Sequence, residues 1–212
     1  LSVQDVKDMM RDHYEGTPLD ISNDFGAGLY KTPYRLSPLN FKVGDREYFN
    51  ERPISTQQSG FVFVAQMRAN KPDPIGGVLW FGVDDANMAV FTPVYCCATK
   101  APVCYTRVDG ADYITFSWNS AFWIFNWVAN MVYPRYDLMI DDVRATQTEL
   151  ETTFNEAQEG VEAAAAKLLE KDPAKAKAFL TNYTNMTAQS TFDTWKRLGE
   201  FLVVKYNDGV VK

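Results

Sequence analysis

Residues 61–67 (Phe-Val-Phe-Val-Ala-Gln-Met) and 76–82 (Gly-Gly-Val-Leu-Trp-Phe-Gly) are apolar at odd and even positions alike. A strand with one wet face alternates apolar and polar residues, so strands of this kind are expected to be covered on both faces. Residues 87–92 continue the pattern after a turn at Asp84-Asp85, and residues 112–117 offer one more strand. From residue 120 the period changes. Phe122, Trp123, Phe125, Val128 and Ala129 predict a helix buried nearly all round, Pro134 interrupts it, and Leu138, Ile140, Val143, Leu150 and Phe154 resume at helical spacing. Asp172-Pro173 is a helix start, and Phe192, Trp195, Leu198, Leu202 and Tyr206 form the stripe that follows. Strands first and helices afterwards, without alternation, give a segregated α+β class: antiparallel strands followed by a C-terminal set of long helices.

The part before the strands is different in kind. Ser2 can cap a helix carrying Val3, Val6, Met9, Met10 and His13, with Gly16 as its stop. Residues 17–58 then show little periodicity and many Tyr, Arg, Pro and Gly, apart from a hairpin expected over residues 41–49 with its turn at Gly44-Asp45. Irregular segments of that length in a compact domain are functional loops or pack on something else. The organisation is therefore a helix over 1–16, a long loop with a hairpin over 17–58, strands over 59–117 and helices over 118–212.

Several functions are excluded or left without support. The 212 residues carry 21 Lys+Arg against 27 Asp+Glu, a formal charge of -6, with no basic cluster, which argues against a nucleic-acid partner. The apolar run at 122–133 is too short for a bilayer, so no membrane partner is expected. Cys96, Cys97 and Cys104 fit no disulfide framework and no zinc spacing, and they read as small buried hydrophobes. Asp84-Asp85 and Asp141-Asp142 read as a turn and a solvated helix face before they read as metal ligands. The single histidine, His13, sits on an apolar helix face, so no Ser or Cys triad has an evident base. No phosphate-binding glycine loop is present.

The stretch Asn50-Glu51-Arg52-Pro53-Ile54-Ser55-Thr56-Gln57-Gln58-Ser59-Gly60, running into 61–68, is more specific. With 74–85, with Thr92-Pro93-Val94-Tyr95-Cys96, with Met10-Arg11-Asp12-His13-Tyr14-Glu15-Gly16, and with Ser120-Ala121-Phe122-Trp123, Arg135-Tyr136-Asp137 and 194–202, it resembles the C69 family of dipeptidases over nearly the whole chain. The resemblance implies an N-terminal-nucleophile hydrolase of four-layer αββα architecture. In such enzymes a cysteine at the mature N-terminus attacks the amide of a dipeptide, with its own α-amino group as base and no metal or organic cofactor.

Family members are much longer, with the nucleophile at their start, and this chain matches only their C-terminal part. The expectation is thus a C-terminal portion of a cysteine dipeptidase, inactive alone, whose partners are a dipeptide and the N-terminal catalytic portion of the same protein. A homo-oligomer and the compartment are left open, since any export signal would precede Leu1. Cys96, Cys97 and Cys104 are internal and cannot replace the nucleophile. Arg52, Gln57 and Gln58, ahead of the first apolar strand, are the candidates for the polar side of the substrate cleft, with Asp84 and His13 as weaker ones. A pair between Arg52 and Glu51 is the competing role for that arginine. The alternative function is a non-catalytic α+β module that binds a peptide or protein.

Overall fold

The computed structural model describes residues 1–35 and 40–212; residues 36–39, inside the expected loop, lie outside the described residues. Helix α1 (Val3–Arg11) begins in a capping box. The Ser2 hydroxyl accepts from the Asp5 N–H at 3.1 Å, and the Asp5 carboxylate accepts from the Ser2 N–H at 2.7 Å. It ends well before Gly16, because Asp12 turns extended and its carbonyl takes the N–H of Ser55 at 3.1 Å. The hairpin is present as β1 (Asn40–Val43) and β2 (Arg46–Phe49), with Gly44 at φ 59° in the turn. Its Phe41 and Tyr48 rings stack across the strands at 5.6 Å.

The main sheet is an antiparallel meander of β3 (Phe61–Met67), β4 (Gly77–Val83) and β5 (Thr92–Tyr95), with the one-turn helix α2 (Asp73–Gly76) between the first two strands. Then come α3 (Ala121–Val132), a single 3-10 turn at Tyr133–Arg135 where Pro134 breaks the helix, and the long hairpin of α4 (Tyr136–Leu169) and α5 (Pro173–Lys205). Asp172 caps α5 with its carboxylate, ahead of Pro173. Antiparallel strands followed by long helices make the chain α+β.

Among the described residues one face of the sheet is fully covered and the other only in part, where Val83 is buried and Tyr105 packs on Phe81 at 5.3 Å. Val62, Val64, Val78 and Trp80 point into a core shared with Ile124, Met139, Leu180, Trp195 and Leu202 of the helices. Across the sheet, Phe61, Phe63 and Met67 are 61%, 48% and 62% exposed. The expectation that both faces are covered therefore holds only in part within the described residues.

Two expected strands are also corrected. Residues 112–117 form a tight turn in which Asp112 and Thr115 exchange backbone hydrogen bonds. Residues 84–91 are a buried loop folded over β4. Asp84, at φ 71°, ends the strand, and the Asp85 carbonyl accepts from the N–H of Met88 and of Ala89. The loop lies so close to β4 that a Cβ on Gly82 would come within 2.8 Å of the Ala89 methyl. A buried loop must have its backbone polar groups satisfied. Side chains of α1 and α4 do this: Arg11 donates to the Ala86 and Ala89 carbonyls, Gln147 donates to those of Asn87 and Ala89, and Glu151 accepts the Phe91 N–H at 2.8 Å.

Lys7 lies beneath this clamp, fully buried, with its Nζ 3.9 Å from the centre of the Trp80 ring and 3.9 Å from Glu151, without a hydrogen-bond partner. Burial pulls its ammonium from 10.5 down to about 8, against the opposing pull of Glu151. Between those two values the unfolded chain holds a proton that the folded chain has released, so stability rises with pH across that window. At neutral pH the buried charge costs about 3 kcal/mol. Lys7→Met is expected to stabilise the chain by ~1–3 kcal/mol at pH 7, and to remove most of the rise between pH 8 and 10.5. Urea midpoints measured across pH check this; a variant less stable than the parent at pH 7 contradicts it.

Candidate active site

The five sequence candidates, Arg52, Gln57, Gln58, Asp84 and His13, do not converge on one cluster. Arg52 is exposed, without a hydrogen bond or ion pair among the described residues, and Glu51 pairs with Arg35 at 2.6 Å rather than with Arg52. Gln57 donates to the Arg35 carbonyl at 2.5 Å, and exposed Gln58 accepts from the Thr56 hydroxyl at 2.5 Å. Asp84 is different: it is buried at the end of β4, where its N–H bonds the Gly60 carbonyl at 3.0 Å. Burial, and then the adjacent Asp85, push its carboxyl well above the usual carboxylate range, so it holds its proton where ordinary carboxyls have lost theirs.

Asp85 is the hub of a buried polar assembly. Its carboxylate accepts short hydrogen bonds from the Tyr34 and Ser55 hydroxyls and one of 3.2 Å from the Asn87 N–H, which Ser55 Oγ also accepts at 2.9 Å. The Asn87 side-chain amide donates to Tyr34 Oη at 3.2 Å and to Tyr136 Oη at 2.9 Å, and Arg144 reaches the latter from the surface at 3.4 Å. His13 is fully buried, with its ring centre 4.9 Å from that of Tyr34 in an edge-on arrangement. Its Nδ1 lies 3.0 Å from Glu15, whose carboxyl this bond holds down at about 2, and its Nε2 has no partner among the described residues. The Tyr133 hydroxyl is buried beside the Asp84 and Asp85 carboxyls. Burial first, and then Asp84 and Asp85, push that phenol far above its ordinary range. Burial raises the phenols of Tyr34 and of Tyr136 as well, the latter to about 12. The assembly is thus a set of protonated oxygens around one carboxylate, suited to holding backbone and substrate groups in place.

Among the described residues no cysteine has a histidine beside it. Cys96 is exposed; burial raises the thiols of Cys97 and Cys104, the latter to about 11, and His13 pairs with Glu15 and Tyr34 instead. Asp142 is taken by Lys205 at 2.7 Å and by the Tyr206 hydroxyl at 2.7 Å.

Two cavities lie on this part of the chain, of which one borders the assembly. One, of about 910 Å³, lies between α1 and α4 and reaches Asn87 and Glu15. The other, of about 320 Å³, is walled by Phe61, Phe81, Tyr105 and Phe122 and includes Val83, the residue before Asp84.

Tyr34, Ser55, Asp85, Asn87 and Tyr136 were not among the sequence candidates. A usable signal existed for three of them: Ser55, Asp85 and Tyr136, like the candidate His13, fall in four separate stretches that carry the family resemblance, and the fold brings those stretches together here. The model of peptidase family C69 matches residues 1–149. A protein of Lactococcus lactis subsp. lactis named Probable dipeptidase B is 26% identical over 160 residues, which cover 74% of this chain and 29% of that protein's length. The chain thus spans less than a third of the relative it matches, and with its family match extending from α1 into α4, through every strand and the Asp85 assembly, it belongs to peptidase family C69.

Proposed function

We propose that the chain is the C-terminal portion of a dipeptidase whose nucleophile, a cysteine at the mature N-terminus, belongs to residues outside these 212. The observation that carries this reading is the open face of the main sheet. Phe61, Phe63 and Met67, with the half-buried Leu79 and Phe81 beside them, form an apolar surface of a kind that soluble monomers keep small. A second sheet laid on it from the rest of the protein would cover it, as in a sandwich with sheets ~10 Å apart, and would complete an αββα arrangement. The thiol would then attack the dipeptide carbonyl, with the α-amino group taking its proton and passing it to the departing amine. Water would release the acyl group and restore the thiol. Arg52, Gln57 and Gln58, leading into β3, are proposed for the polar side of the substrate cleft. The Asp85 assembly holds the end of the sheet in place.

The test compares the product of the whole reading frame with this chain alone. Cleavage of dipeptides by the whole product, abolished by thiol alkylation and retained when Cys96, Cys97 and Cys104 are all replaced by Ser, is expected; this chain alone should release no amino acids above background. Robust turnover by the 212 residues overturns the reading. The exposed rings of Tyr113 and Trp118, at 78% and 49%, favour a second reading, a peptide- or protein-binding module. That reading gains if the whole product binds peptides without cleaving them.

A further inference from the structure

Helix α3 turns Ile124, Phe125 and Val128 into the core, and its outward stripe carries Trp123 and Trp127 one turn apart, with Asn126 and Asn130 alongside. Outward positions of a helix ordinarily hold small polar or charged residues. Here, with Phe116 and Met131, they line a recess of about 330 Å³, at the small end of ligand pockets. The rings are fixed in place. Trp123 donates its indole N–H to the carbonyls of Asp112 and Thr115 at 2.9 and 2.7 Å, and a Cβ on Gly199 of α5 would come within 2.3 Å of the Trp127 ring. Behind the recess, Trp118 stands in T-shaped contact with both Trp127 and Phe116, at 5.2 and 4.8 Å. Phe116 and Trp123 meet at 5.5 Å with a tilt of 52°, which makes a corner of two ring faces.

Nothing in this lining carries a formal charge. The Asn126 and Asn130 amides each donate to the carbonyl one turn back at 2.8 Å, which leaves their side-chain oxygens without a donor among the described residues. Ring faces present the negative lobe of the π quadrupole, and amide oxygens the negative end of a dipole. The recess is thus electron-rich without holding a carboxylate, in a chain of formal charge -6. A metal ion needs a shell of oxygen ligands that rings cannot supply. A large cation with an apolar skin gains from aromatic rings on more than one side.

We infer that this recess binds a quaternary ammonium group, the trimethylammonium of a small soluble molecule of the choline type. The inference goes beyond the dipeptidase reading and does not depend on it, since none of the lining residues belongs to the main sheet or to the Asp85 assembly. Charge complementarity selects the occupant: an anion would meet ring faces and amide oxygens of its own sign, and an uncharged group would leave their field unused.

Titration of the product of the whole reading frame with choline chloride checks this, followed by tryptophan fluorescence and by the upfield shift that surrounding rings impose on the N-methyl protons. Choline is expected to bind saturably, and about tenfold or more tighter than dimethylbutanol, in which carbon replaces the nitrogen. Phe116→Leu keeps the apolar bulk and removes one ring; it should weaken choline about threefold to thirtyfold and leave dimethylbutanol nearly unaffected. Asn130→Asp sets a carboxylate at the rim and should tighten choline binding, whereas Asn130→Lys should abolish it. Phe116 and Asn130 are both exposed, so these variants keep the fold. Equal affinity for choline and dimethylbutanol, unchanged affinity in Phe116→Leu, or the same response to Asp and Lys at position 130 overturns the inference. So does a lack of saturable choline binding, as when another part of the protein covers the recess, or binding to phosphatidylcholine vesicles alone.

Discussion

Glu151→Ala is expected to destabilise the chain by ~3–5 kcal/mol, lowering its urea midpoint by roughly 1–2 M. Glu151 is 7% exposed in its side chain and accepts from Arg11 at 2.5 Å and from the Phe91 N–H at 2.8 Å, with Lys7 3.9 Å away. Removing it leaves two cations facing each other in the interior and a buried backbone donor with no acceptor. Such loss of one partner costs far more than the pair itself contributes. Glu151→Gln keeps an acceptor for Phe91 and should lose less. Coupling gives a sharper check. In Glu151→Ala the Lys7 ammonium has lost its nearby counter-charge, so adding Lys7→Met should recover part of the loss, and the double variant should be more stable than the sum of the singles predicts. A midpoint shift below ~0.3 M for Glu151→Ala would remove the clamp from the account of how loop 84–91 is held.

That clamp also marks where sequence reading stopped. The capping box at Ser2, the hairpin turn at Gly44, the break at Pro134 and the Asp172-Pro173 start were legible because each is a local signal, decided by residues a few positions apart. Residues 87–91 looked like strand because they are apolar, but apolarity reports burial, and burial here comes from folding across β4 under Arg11, Gln147 and Glu151. Those partners lie 58 to 78 positions away in sequence, and no short-range pattern points to them. The open part of the sheet is the converse case: Phe61, Phe63 and Met67 are apolar and read as covered strand, yet they are exposed among the described residues.

The candidate site divides in the same way. Asp84 was visible as half of an acidic turn. Tyr34 and Asn87, 53 positions apart, are joined through one phenol oxygen, and only the fold brings them together. Family-like stretches were the better guide, since they converge on Asp85 without any knowledge of which contact each residue makes. Arg52, chosen for its charge and its place before a strand, is exposed, whereas the arginines that hold structure here, Arg11 and Arg68, reach the buried carboxylates of Glu151 and Glu162.

Neighbouring aspartates should respond to substitution in opposite directions. Asp85→Ala strands the Tyr34 and Ser55 hydroxyls and weakens the hold on the Asn87 N–H, all buried, for an expected loss of ~3–5 kcal/mol. Asp85→Asn retains one acceptor oxygen and should lose about half as much. Asp84 is the reverse case. Its folded carboxyl binds a proton that the unfolded chain gives up near 3.8, so it lowers stability progressively as pH rises from that value toward its raised folded one. Asp84→Asn removes this penalty, and asparagine tolerates the positive φ of 71° that most residues would find strained. The variant is therefore expected to be at least as stable as the parent at pH 7 and to lack the decline that Asp84 imposes above pH 4. Urea midpoints of the three variants from pH 4 to 8 distinguish the roles. If Asp84→Asn falls as far as Asp85→Ala, the two carboxyls act as one structural unit and Asp84 is not the proton-holding member of the pair.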